Sequence, residues 1–336
     1  MAAISDQEIS PPANFDPAIQ SENIAFDRDE MVACSRCLRN NPPNRLNCLY
    51  CANGLDLPTE KTATTELKLR KLESWERGVN IILRNADPVA DIKGAASLMS
   101  IELESLAAIV GTQCELPIAR VENLQTADTL ITQLQSLGFT CFSVTDELLA
   151  IEKPNIRISG IEIGPGEFGA KDFNTGQFTR FATYKIALIV EGVISKTKVD
   201  TIEKRRLRGE SKLIDQSSVA ADARILDIYP ADQIIGFRLM PTGFDFSCLG
   251  DQKTLLAREN WGRLIDFLRS KLPTAKYVGN YATVRTALET IWPTESRNET
   301  KGLIQTGFGK REFGSVATTS NLEQFNRYSR LQRQLL

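Results

Sequence analysis

The chain has 336 residues, 42% hydrophobic and 24% charged, with a formal net charge of −2 and no histidine. That length suits two or three globular domains, and the near-neutral charge argues against a nucleic-acid protein with a wholly basic surface. The lack of histidine removes the commonest general base and every histidine-containing metal site, and no run approaches 18 apolar residues, so no membrane-spanning helix is expected.

Residues 1–30 are acidic and polar with Pro11, Pro12 and Pro17, and read as a disordered leader. They lack the basic start and apolar centre of a signal peptide, so a cytoplasmic protein is expected. Next come Cys34-Ser-Arg-Cys37, ten residues, and Cys48-Leu-Tyr-Cys51. A Cys-x-x-Cys turn brings two sulfurs within reach of one ion, and two such turns complete a tetrahedron of thiolates. The expectation for residues 31–56 is a zinc ribbon holding one structural Zn²⁺ on Cys34, Cys37, Cys48 and Cys51, with no position open for water or substrate. A rubredoxin-like iron site would use the same four ligands, and disulfides are the third reading. Cys114, Cys141 and Cys248 sit apart in largely apolar surroundings and are expected to be buried free thiols.

The ribbon also resembles the Ran-binding-protein type of zinc finger. Three residues separate Cys37 from Asn41 and six separate Asn41 from Cys48, which is the spacing of that family. The resemblance implies binding to single-stranded RNA or to ubiquitin. Val32 and Pro42 stand where that family carries tryptophans, and Leu38-Arg39 replaces the Thr-Phe of ubiquitin binders. Arg45 remains a candidate RNA contact, without the stacking platform that single strands use.

Residues 57–78 read as a linker or short helix with Leu67, Leu69, Leu72 and Trp75. From Val79 the pattern gives β-α-α-β-α-β. Val79–Leu83 is an apolar strand, 88–110 holds two helices with Ser100 capping the second, and Leu116–Ala119 is a strand. A 3.6-period stripe follows from Ala127 to Leu137, then Gly138 and a strand from Phe139 to Val144. Residues 79–150 resemble the C-terminal domain of the bacterial ribosomal stalk protein, through Asn80-Ile-Ile-Leu83, Met99-Ser-Ile101 and Leu134-Gln-Ser-Leu-Gly138. That resemblance implies its fold. The lysines with which the family meets translation factors are replaced by Glu102 and Glu104, leaving Lys93.

Residues 151–295 read as a strand-rich α+β domain. Ile156–Ile163 alternates with a slip at Ser159-Gly160, Phe168–Phe173 is a short partner, and Gly192 suggests a turn within the apolar run Thr183–Ile194. Further strands follow at 224–229 and 234–246, then helices at 257–272 and 277–291. Antiparallel strands closed by one amphipathic helix resemble a pleckstrin-homology-like barrel. The whole arrangement, with Phe244–Gly250 and Thr318–Phe325, resembles an uncharacterised family of bacterial zinc-ribbon proteins. The expected fold is therefore α+β and multidomain, closed by a polar loop at 296–319 and a terminal amphipathic helix at 320–336. That helix opens on a Ser320-x-x-Glu323 capping box.

No constellation points to catalysis. Gly160, Gly164, Gly166 and Gly169 lack the following helix and Lys-Ser/Thr of a phosphate loop and read as hairpin turns. The basic run Lys204, Arg205, Arg206 and Arg208 is a candidate phosphate or RNA contact, flanked by Glu203 and Glu210. The expected function is a non-enzymatic zinc-binding adaptor with protein partners. The alternative is an RNA- or ribosome-associated factor using the finger and the basic run.

Overall fold

The computed structural model describes residues 31–42, 45–55, 69–73, 75–204, 212–307 and 310–336. The leader 1–30 and Arg205, Arg206 and Arg208 lie outside these residues. The chain divides into two compact units, Met1–Glu66 and Leu67–Leu336.

In the first unit two short strands pair antiparallel, β1 (Val32–Ala33) and β2 (Asn40–Asn41), and an isolated bridge joins Asn47 to Gly54. Among its described residues the buried apolar ones are Cys34, Cys48 and Leu55.

The larger unit opens with a strap, 69–77, which runs without a helix in its described residues. Then follow β3 (Val79–Ala86), α1 (Ile92–Met99), α2 (Leu103–Gly111), β4 (Leu116–Val121), α3 (Leu124–Ser136) and β5 (Phe139–Thr145). This is the expected βααβαβ order. β3 lies centrally and pairs antiparallel with β4 and β5. Ser100 does not cap α2. It is the left-handed C-cap of α1, φ +54°, and α2 begins after Glu102.

A single turn, α4 (Asp146–Leu149), leads into a nine-stranded sheet. Three strands form a meander, β6 (Ile156–Gly164), β7 (Glu167–Asp172) and β8 (Phe178–Ala182). The slip at Ser159-Gly160 is a register shift between Ile158 and Gly160, and Gly166 turns the β6–β7 hairpin at φ +77°. Two strands of 19 residues pair along their length, β9 (Ile186–Lys204) and β10 (Lys212–Pro230). β11 (Phe237–Leu239) pairs antiparallel with β10 and parallel with β6. Helix α5 (Ala257–Lys271) packs Trp261, Leu264 and Leu268 beneath the sheet, β12 (Lys276–Val278) adds parallel to β9, and α6 (Tyr281–Leu288) follows. The sheet is thus mixed, not wholly antiparallel.

Residues read as a polar loop form a hairpin instead, β13 (Glu295–Gly307) and β14 (Lys310–Ser320), with β14 paired to the outer half of β9. Gly192 makes no turn either. It lies inside β9, where a β-carbon would collide with the ring of Phe325. β9 reads as a continuous apolar run because Leu188, Val190 and Ile194 face one core and Ile189 the other.

The last helix, α7 (Leu322–Gln334), crosses this surface. Asn321 rather than Ser320 is its N-cap residue, and the Asn321 side chain ties back to the backbone of Val193 and Ser195. Phe325, Tyr328 and Leu331 are fully buried, worth roughly 1.5–3 kcal/mol each. They join Val79–Leu149 side chains and β9, β10 and α6 side chains in one continuous core. The expected boundary near residue 150 is crossed by that core.

Candidate metal centre

The two Cys-x-x-Cys turns have the same backbone. Leu38 N donates to the Cys34 carbonyl at 2.8 Å, and Ala52 N to the Cys48 carbonyl at 3.0 Å. Cys34 N in turn donates to Arg39 O and Cys48 N to Asn53 O. Each turn closes on a left-handed residue, Leu38 at φ +59° and Ala52 at φ +56°. Non-glycine residues adopt that conformation at a cost, which the surrounding turn must hold in place.

Asn41 joins the halves. Fully buried, it donates through Nδ2 to Arg39 O and accepts from Leu49 N through Oδ1, both at 2.8 Å. Sequence spacing had marked Asn41 only through the zinc-finger pattern. Its geometry makes it the brace between the first turn and the second.

These supports bring all four sulfurs within 4.8 Å of one another, with Cys34 Sγ 3.6 Å from Cys51 Sγ and Cys37 Sγ 3.5 Å from Cys48 Sγ. A tetrahedron of thiolates about 2.3 Å from an ion has edges of about 3.8 Å, so the donor set fits one tetrahedral metal ion. A disulfide needs about 2.05 Å, and all seven cysteines are free. Within this cluster Cys34, Cys48 and Cys51 do not ionise alike. The Cys34 thiol is lowered, chiefly by the N–H of Cys37. Burial raises the Cys48 thiol, but the N–H groups of Tyr50 and Cys51 outweigh it and bring the group down to about 6. The Asn53 N–H lowers Cys51, yet burial and the three neighbouring sulfurs push it up to about 12. A bound cation supplies the positive charge that lets the Cys51 sulfur ionise as well.

Of the other expected contacts, Arg45 and Lys204 belong to different units, and Arg205, Arg206 and Arg208 lie outside the described residues. Arg45 is exposed on the ribbon, with its backbone N donating to Pro42 O at 3.3 Å. Lys204 ends β9 in the larger unit. The ribbon surface instead shows Leu38, Leu46, Leu49 and Tyr50 at 50–81% exposure, with the Arg39 guanidinium 4.7 Å above the Tyr50 ring. Cys114, Cys141 and Cys248 are half-buried, and burial pushes Cys141 up to about 12 and Cys248 to about 11.

A second cluster escaped the sequence reading. The Asp146 carboxylate accepts from Gly78 N, Asn80 Nδ2, Arg120 Nη2 and Arg327 Nη1, at 2.9, 2.9, 2.5 and 2.6 Å. Trp292 Nε1 donates to Asn80 Oδ1 at 2.9 Å. Nearby, Asp227 accepts from Arg238 and Ser329, and Tyr229 bonds Asn155. The available signal was the spacing of Arg327, Arg330 and Arg333 along a helix holding one acidic residue.

Comparison with protein-family models, with curated proteins and with solved structures finds no match. Among the described residues no helix is long and apolar enough to cross a membrane.

Proposed function

We propose that this is a non-enzymatic zinc protein of the cytoplasm whose ribbon docks a protein partner. Zn²⁺ occupies Cys34, Cys37, Cys48 and Cys51 as a structural ion. The ion takes the place of a core that so short a segment cannot build from apolar side chains. One observation carries the adaptor reading: Leu38, Leu46, Leu49 and Tyr50 stay exposed on a ribbon whose buried apolar residues, among those described, are two cysteines and Leu55. Exposed apolar groups on a rigid, metal-braced turn suit protein contact.

A second reading is RNA or ribosome association. Residues 31–55 contain Arg36, Arg39 and Arg45 and no acidic residue, and Arg39 stacks on an exposed tyrosine.

The test is purification of untagged protein from its native host without chelators, followed by metal analysis and identification of whatever elutes with it. One colourless zinc per chain and a protein partner lost on Leu46→Ser/Leu49→Ser substitution support the adaptor. RNA that leaves with nuclease and high salt supports the second reading. Iron in place of zinc overturns the metal assignment.

A further inference from the structure

The strap, the α1–α2 turn, the connection from α6 to β13 and the first turns of α7 line a half-open cavity of about 710 Å³ within the larger unit. That volume lies in the range of small-molecule sites. Its lining is part apolar, from Leu69, Met99, Ile101 and Ile291, with Trp75 exposed at the wall. Arg120 and Arg327 also line it.

The buried charges beside this cavity do not balance. The side chains of Arg120 and Arg327 are 8% and 10% exposed and share one carboxylate, Asp146, at 1%. Arg120 is otherwise spent on the carbonyls of Glu73 and Glu76, with its Nε buried and unpartnered. Arg327 uses only Nη1, towards Asp146, and its Nε and Nη2 carry no hydrogen bond among the described residues. Those two N–H groups form one edge of the guanidinium fork, the edge that takes a carboxylate in two parallel bonds. The remaining charges on the lining are Arg70 and Lys71 against Glu73, Glu102, Glu295 and Glu323. Such a rim opposes a highly charged anion and tolerates a single negative charge.

We propose that this cavity binds a small amphipathic carboxylate, its head on the free Nε/Nη2 edge of Arg327 and its apolar body against Ile101, Ile291 and Trp75. Every residue that lines the cavity belongs to the larger unit.

The test uses the full-length zinc-loaded chain, titrated with 4-phenylbutyrate and separately with 4-phenylbutanol, and read by calorimetry and ligand-detected NMR. The acid should bind saturably and the alcohol roughly tenfold more weakly or worse, reflecting the lost charge-assisted bonds. Arg327→Gln, where its circular dichroism shows a folded chain, should bring the acid down to the alcohol's affinity. Trp75→Ala removes part of the wall without touching the Asp146 cluster and should weaken both probes. No saturable binding of the acid, equal affinity for acid and alcohol, or a folded Trp75→Ala chain with unchanged affinity for both overturns the proposal.

Discussion

Replacing Asp146 by Asn tests how the larger unit is held together. The carboxylate receives four hydrogen bonds from three segments, at Gly78 and Asn80, at Arg120 on β4 and at Arg327 on α7. An amide in its place keeps one accepting oxygen, turns its NH2 towards one of the two guanidiniums, and leaves both cations buried without a counter-charge. Removing one partner of a buried ion pair costs about 3–5 kcal/mol. Against a total stability of roughly 5–15 kcal/mol, that is a large share. With a urea slope of about 3 kcal/mol per molar, the midpoint should fall by about 1 M or more. Urea unfolding followed by circular dichroism and by tryptophan fluorescence measures it. Asp146→Leu combined with Arg327→Met should recover part of the loss, because no unpaired Arg327 then remains. A fall below about 1 kcal/mol in Asp146→Asn, or a double substitution that is simply additive, would refute the reasoning. The pH dependence has a definite sign. Burial raises the Asp146 carboxyl, but Arg327, Arg120 and Asn80 outweigh burial and hold the group below its ordinary value. Its contribution is therefore fully present above about pH 4 and is lost as pH falls through the lower folded value, so wild type and Asp146→Asn should converge in acid.

Asn41→Ala removes both bonds that brace the ribbon and should weaken metal retention by about 10–100-fold in competition with a chromophoric chelator; unchanged retention would show that the turns position the sulfurs unaided. Gly192→Ala forces a methyl into Phe325 and should destabilise the larger unit by about 1–3 kcal/mol, with Phe325→Leu recovering part of it. Additive losses in that pair would place the strain elsewhere. In the native chain Cys141 and Cys248 should react with a thiol reagent at pH 8 far more slowly than in urea, since burial holds both thiols protonated. Equal rates in the two conditions would mean that these thiols are open to solvent.

The features legible in the sequence were the local ones. Two Cys-x-x-Cys turns state their geometry in their spacing, and the stripe from Ala127 to Leu137 gave α3 because one face repeats at 3.6 residues. The hairpin of β13 and β14 was not legible. Its Thr, Ser and Gly residues lack a period-two apolar face, and its order comes from pairing with β9, more than a hundred residues earlier. Gly192 reads as a turn signal until Phe325 is known to cross it. For α7 the sequence shows one apolar stripe, with Arg327, Arg330 and Arg333 lying off it. Arg327 and Arg330 are nevertheless buried, because Asp146 and the carbonyls of Lys153 and Ile234 accept their protons. Partners that far apart leave no local trace.

The position of α7 also sets a clock. Arg327 follows Asp146 by 181 residues, and Arg330 follows Lys153 by 177. At a synthesis rate of about 5–20 residues per second, Asp146 emerges roughly 10–35 seconds before its second cation exists. Through that interval β3, β4 and β5 can pair, and β9 can pair with β10, while the slot that α7 later fills stands open. Fully buried side chains such as Leu188, and later Tyr281 once it is made, would face water beside a carboxylate holding only Arg120. A nascent chain that has not yet reached α7 therefore lacks the element that completes this core, and closing the groove has to wait for the last helix of the described chain.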